Sequence, residues 1–107
     1  MVDRTDAKKI VLLMTLGLCE AIRSKAISID EAEYYLFKPG TMSLFKRDKE
    51  VRHIINLCTE FDAIARLVGP EHLEEVIADV EKRAKAALKK AAPCDYQQDF
   101  WLRNLMK

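Results

Sequence analysis

The side chains of this sequence best suited to catalysis or metal binding are three cysteines and two histidines. They are Cys19, Cys58, Cys94, His53 and His72. The cysteines form no CxxC pair. His53 and Cys58 are five residues apart, whereas two ligands on one helix face are normally three or four apart. An odd number of dispersed cysteines indicates free thiols in a reducing compartment. We therefore expect no metal site and no cofactor.

One fragment imitates the signature of a zinc deaminase. His72-Leu73-Glu74 followed by Pro93-Cys94 matches the start of H-x-E…P-C-x-x-C, but Gln97 stands where the second cysteine would be. A cysteine or serine nucleophile needs a base within hydrogen-bond reach, and the two histidines, which lie on predicted exposed faces, point to no such pair. The chain has three glycines and neither a Walker loop nor a GxGxxG motif. The sequence therefore predicts a protein that is not an enzyme.

The elements that would position these side chains are helical along the whole chain, because apolar residues recur every three or four positions and no segment alternates as a strand does. The predicted helices cover about 6–24, 29–37, 42–45, 49–68 and 71–92, with a last short helix opening at Asp95. Thr5 or Asp3, Ser28, Thr41 and Asp48 are the predicted N-caps. The predicted fold class is all-α, a compact bundle of four or five helices with short Pro/Gly joints.

The sequence predicts specific features at two Pro/Gly joints and in the first helix. Pro39 should stop the second helix, with Gly40 supplying the turn, and Gly69 should end the 49–68 helix just before Pro70 opens the next. The first helix is apolar on nearly every side and should be central. Gly17 inside it costs about 1 kcal/mol relative to alanine, so we expect a neighbouring helix backbone to approach closely there.

The 107 residues are predicted to form one domain, with a helical bundle over 1–92 and a C-terminal helical tail over 93–107. With 18 basic and 17 acidic residues, the net charge of +1 gives no general reason to bind nucleic acid or an anionic membrane. No apolar stretch is long enough to span a bilayer. Leu18 before Cys19 is too large for lipoprotein cleavage. We expect a cytoplasmic protein.

Protein binding is the remaining class of function. Tyr34, Tyr35 and Phe37 lie beside Lys38-Pro39, and aromatic residues are favoured interface anchors, although at least one of the three should be in the core. The tail places Phe100 and Trp101 after a proline joint, where a chain end is normally polar. The tail either docks on the bundle or is an exposed hook for a partner.

Several segments resemble a family of small bacterial proteins known as domain of unknown function 3969. They are Leu16-Gly17-Leu18, Ala21-Ile22, Ile-Ser-Ile-Asp-Glu-Ala-Glu at 27–33, Leu-Phe-Lys-Pro at 36–39 and Ile-Ile-Asn-Leu-Cys-Thr-Glu-Phe-Asp at 54–62. The resemblance covers about 12–88. Cys58 departs from it, since a glycine is common there, and the tail beyond Pro93 is expected to be an addition.

The resemblance names no activity, but it suggests an immunity protein that binds and neutralises a bacterial toxin. A basic nuclease site would be covered well by carboxylates. The acids in the family-like segments are Asp30, Glu31, Glu33, Glu60 and Asp62. Glu31 is explained by its role in helix capping. For the other four acids, the alternative to partner binding is that they lie on solvated helix faces. The predicted partner-binding residues are Asp30, Glu33, Tyr34, Glu60, Asp62, Phe100 and Trp101. The alternative function is a helical interaction module or homodimer with no toxin link.

Overall fold

The computed structural model describes residues 4–93 and 101–106, all of it helix, turn and connecting loop. The helices are α1 (Arg4–Arg23), α2 (Ile29–Tyr35), α3 (Pro39–Leu44), α4 (Lys49–Thr59), α5 (Phe61–Leu67), α6 (Pro70–Lys90) and α7 (Trp101–Leu105). No strand occurs in these two ranges. The predicted all-α bundle is confirmed, with more and shorter helical segments than the spacing indicated.

The two longest helices, α1 and α6, pack against each other in antiparallel directions. Near one end, the Lys9 ammonium donates to the Ala92 carbonyl over 3.0 Å. Near the other, the Arg23 guanidinium bonds Glu74. Helix α4 packs against α3 and α6, α5 packs against α6, and α2 lies between α1 and α5. The core is built from one apolar face of each of these helices. Its largest fully buried apolar side chains include Leu12, Phe37, Val51, Ile54, Ile55, Phe61, Ile77 and Val80.

Three helix ends behave as predicted. The Ser28 hydroxyl accepts a hydrogen bond from the Glu31 backbone N–H at 3.1 Å, and the Asp48 carboxylate accepts one from the Val51 N–H at 3.1 Å. Gly69 has φ of +122°, a conformation that L residues avoid, and Pro70 follows at the first position of α6. The first two ends form where a side chain satisfies an otherwise unbonded backbone group, and the third forms where glycine adopts a positive φ.

The predicted continuous helix over 49–68 is wrong, because the structure divides it at Glu60. The Glu60 N–H bonds the Leu57 and Cys58 carbonyls, which tightens the last turn of α4, and α5 then starts at Phe61. The Phe61 ring is fully buried and meets the Phe37 ring edge to face, with centroids 5.6 Å apart. The first residue after the break thus lies in the core.

The expectations at Pro39, Gly40 and Thr41 are also wrong in part. Helix α2 already ends at Tyr35, and Pro39 is the first residue of α3, where its missing N–H costs nothing. Gly40 lies inside α3. The Thr41 hydroxyl donates to the Leu36 carbonyl over 2.7 Å instead of capping a helix. This hydrogen bond is buried and joins α2 to α3.

Helix α1 faces the core on one side only, and its other side is exposed. A Cβ added at Gly17 would meet no atom within 4 Å, so the expected close approach of a neighbouring backbone is wrong. Leu13 is 58% exposed, and Met14 beside it is partly exposed. Helix α1 begins at Arg4, so Thr5 is not its N-cap, and Asp3 lies outside the described residues. The apolar content of α1 did not reveal which side would be covered.

No helix in the described ranges is both long and apolar enough to cross a membrane.

Candidate protein-binding surface on α2 and α5

Helices α2 and α5 are held side by side by buried aromatic packing. Phe37, just after α2, and Phe61, the first residue of α5, are 1% and 0% exposed. Aromatic rings in this edge-to-face arrangement stabilise a contact beyond the area they bury, by roughly 0.5–1.5 kcal/mol. This contact fixes the outer sides of the two helices relative to each other.

Three of the predicted carboxylates come together there. Glu33 on α2 is partly buried, and Asp62 on α5 and Asp30 on α2 lie close enough to act on its charge. Burial of the Glu33 carboxyl, followed by the negative charges of Asp62 and Asp30, raises the pKa of Glu33 above its ordinary value. Like charges are thus held together at a cost in free energy.

Only part of this charge is neutralised within the chain. Asp62 accepts a hydrogen bond from the Arg66 guanidinium at 3.1 Å, one turn along α5, and both side chains are well exposed. No ion pair of Asp30 or Glu33 occurs among the residues that the structure describes. The carboxylates of α2 therefore remain available to an outside cation.

An exposed aromatic group lies on the same helix. Tyr34 is 72% exposed, and its ring meets that of Tyr35 edge to face at 5.3 Å. The Lys38 ammonium lies 5.3 Å from the Tyr34 ring centroid. The expectation that one of the three aromatics is core is confirmed at Phe37. We call the surface formed by Asp30, Glu33, Tyr34 and Asp62 the acidic α2–α5 surface.

The other predicted partner-binding residues are not part of the acidic α2–α5 surface. Glu60 is exposed at the junction of α4 and α5, and no described contact joins it to α2. Phe100 lies outside the described residues. Trp101 is the first residue of α7, where the structure describes the backbone, and Leu105 and Met106 beyond it are 71% and 81% exposed.

The residues first considered for chemistry are not placed for it. Cys19 and Cys58 are buried. Burial and the neighbouring Cys19 thiol raise the pKa of Cys58, which keeps it in the unreactive protonated form. His53 and His72 are exposed, as expected. Within the described part of the chain, no group of three or more potential ligands could hold a metal ion.

The sequence reasoning missed a second polar surface, on the other side of the bundle. Lys49, Arg52, His53 and Asn56 lie on one side of α4 beside two shallow cavities, and Arg83 of α6 lines one of these cavities together with Lys49 and His53. The signal was present in the spacing, because these α4 positions follow i, i+3, i+4 and i+7.

Comparison with known proteins places the chain in a family. A family model described as "Protein of unknown function (DUF3969)" matches residues 2–103. The chain belongs to this family. The match reaches ten residues beyond Pro93, so the expectation that the tail is an addition is wrong up to residue 103. No curated protein and no solved structure matches the chain. The acidic α2–α5 surface lies entirely inside the segment that DUF3969 covers.

Proposed function

We propose that this DUF3969 protein is a non-enzymatic bacterial immunity protein that acts in the cytoplasm. It neutralises a cognate toxin by binding it through the acidic α2–α5 surface. The observation that carries the proposal is the crowding of Glu33 with Asp62 and Asp30 beside an exposed tyrosine.

A basic partner would gain from this arrangement in two ways. Burial, followed by the negative charges of Asp62 and Asp30, raises the pKa of Glu33, and a cation of the partner would relieve the repulsion among these three carboxylates. The exposed Tyr34 ring supplies apolar contact area and a hydroxyl at little cost in side-chain entropy. Toxins that cleave nucleic acid present basic active sites, which complementary carboxylates can cover.

A growth-rescue assay with charge reversal tests the proposal. A toxic domain found encoded beside this gene would be expressed in bacteria with and without the full chain, and restored growth is expected with the chain. Asp62→Lys should weaken rescue and lower the affinity of the purified pair, with a smaller effect at high salt. Glu75→Lys is the matched control, because Glu75 is an exposed acid of α6 and belongs to a different surface.

The outcomes separate clearly. Equal loss of affinity in both variants would mean that net charge alone is sensed, and it would remove the acidic α2–α5 surface from the interface. Unchanged growth arrest with the wild-type chain, or a gene neighbourhood without any toxin across many genomes, would contradict the immunity role itself.

One observation favours the alternative, an interaction module or homodimer with no toxin link. Leu105 and Met106 of the tail are exposed apolar side chains, and such residues at a chain end suit an association surface. Deleting residues 94–107 should then abolish association in light scattering while the melting temperature stays the same. A large drop in melting temperature with unchanged mass would show instead that the tail stabilises the bundle of its own chain.

A further inference from the structure

Two adjoining cavities lie along the outer side of α4, one toward α6 and one toward α3. Their volumes are about 340 and 430 Å³, and they share Lys49 and His53. Arg83 lines the first, and Arg52 with Asn56 lines the second. We call these five residues and the cavities between them the α4–α6 groove. Volumes of this size are typical of sites for small molecules.

The α4 wall of the groove is a regular row of nitrogen donors. Lys49, Arg52, His53 and Asn56 occupy positions i, i+3, i+4 and i+7 and therefore lie on one side of the helix. The row extends about 10 Å along the helix, given a rise of 1.5 Å per residue. The opposite side of α4 holds it rigidly, since its residues Val51, Ile54, Ile55 and Cys58 are buried in the core.

The donors of this row are largely unused. Among the residues that the structure describes, neither Lys49 nor His53 makes an ion pair or a side-chain hydrogen bond. Arg52 gives one N–H of its guanidinium to the Lys46 carbonyl at 2.9 Å. Most of its five donors thus remain free for a ligand.

The carboxylates near the groove are already engaged by cations. Glu50, which lines the first cavity, pairs with the Lys90 ammonium at 2.8 Å and with Lys8 at 3.6 Å. Asp79 pairs with Arg83 at 2.9 Å. An anion entering the groove would therefore meet the cations of Lys49 and Arg52, and acids that are already paired.

We propose that the α4–α6 groove binds a short polyanion, a small molecule carrying two or three linked phosphates. A single phosphate cannot reach along a row of about 10 Å, whereas a di- or triphosphate chain can extend from one cavity into the other past Lys49 and His53, which line both. Guanidinium groups suit phosphate oxygens because they donate two parallel hydrogen bonds.

The surroundings limit the length of the ligand. Asp79 lies one helical turn before Arg83 on α6, and Glu75, which is 77% exposed in its side chain, lies one turn further. A long polyanion such as a nucleic acid strand would meet these acids if it continued along α6. The groove therefore favours a compact ligand. This inference does not depend on the proposed immunity function, since it concerns a different surface.

Isothermal titration of the full chain with inorganic tripolyphosphate, in magnesium-free buffer, tests the proposal. We expect saturable binding, and Lys49→Glu should weaken it at least fivefold. Lys82→Glu is the matched control, because Lys82 is exposed on α6 and does not line either cavity. Lys49 is the first residue of α4, where an acid suits the helix dipole, so loss of binding in this variant does not reflect unfolding.

Adenosine triphosphate and a single-stranded oligonucleotide complete the experiment. Binding of the nucleotide with the affinity of tripolyphosphate identifies the phosphate chain as the recognised group, and tighter binding places the nucleoside in the groove as well. Equal weakening by Lys49→Glu and Lys82→Glu would overturn the proposal, as it would indicate general charge attraction. Binding of the oligonucleotide without binding of tripolyphosphate would overturn it as well.

Discussion

Replacing Glu33 by glutamine should stabilise the protein, because the wild-type carboxylate is held near Asp62 and Asp30. Glutamine keeps the size of the side chain. Its amide can still donate to Asp30, as the protonated Glu33 carboxyl can. Glu33→Gln therefore removes one negative charge and little else.

The size of the effect follows from the two like-charge neighbours. Asp30 is three residues before Glu33 on the same helix, and such a pair destabilises by roughly 0.2–0.5 kcal/mol. Asp62, on the adjacent helix and partly exposed, should contribute a similar amount. Together they predict a gain of about 0.5–1 kcal/mol near pH 7, which corresponds to a rise in melting temperature of roughly 2–5 °C for a chain of this size.

The gain must depend on pH in a defined direction. The pKa of Glu33 is raised in the folded protein above its ordinary value of 4.5, so the folded state holds this proton more tightly than the unfolded state. The stability of the wild-type protein then falls, through this group, as pH rises from below 4.5 to above the raised value. The advantage of Glu33→Gln should vanish below the ordinary pKa and be complete near pH 7.

Urea denaturation at a series of pH values measures the effect, with Glu31→Gln as the matched control. Glu31 is an exposed acid in the first turn of the same helix, where the helix dipole favours negative charge, so its replacement should lose roughly 0.3–1 kcal/mol. Equal effects of the two variants, or a gain from Glu33→Gln that persists at low pH, would refute the like-charge explanation of the acidic α2–α5 surface.

Three further substitutions test the bundle. Arg23→Met should destabilise the protein by about 1–3 kcal/mol in thermal unfolding. The reason is that the Arg23 guanidinium bonds Glu81 at 2.5 and 3.0 Å and Glu74 at 2.5 Å. An effect below about 0.5 kcal/mol, the scale of an exposed ion pair, would contradict this prediction. Gly17→Ala should stabilise by about 0.5–1 kcal/mol, because the added methyl enters open space in a helix interior, and a loss of stability would mean that α1 is covered there. Gly69→Ala should destabilise by about 1–3 kcal/mol because of the φ of +122°, and a neutral result would show that the turn can rearrange.

The helix ends that were predicted correctly are those that depend on neighbouring residues. Ser28 and Asp48 cap α2 and α4 through backbone groups three residues away, and Gly69-Pro70 separates α5 from α6. In each case the hydrogen bond or the torsion angle is available to the chain before any tertiary contact forms. The helical periodicity that excluded a β-sheet is equally local.

The errors arose where packing between distant segments decided the result. The apolar spacing over 49–68 is compatible with one helix, but the chain breaks at Glu60, and Phe61 directly after the break packs against Phe37 of a distant segment. Gly17 indicated a close contact by its type alone, yet no neighbour covers that side of α1. Neither result can be derived from a helical repeat, because the repeat identifies an apolar face without identifying its partner.

The two candidate sites were also determined partly by the sequence and partly by packing between helices. The sequence by itself determined that Glu33 and Asp30 share a helix face, and that Lys49, Arg52 and His53 form a row, because 3.6 residues per turn place such positions together. Only the tertiary structure decided that Asp62 joins the first group and that Arg83 lines a cavity beside the second. The physical reason is that burial of apolar surface, which is not directional, selects which helices pack together. The positions of the charged groups follow from that packing.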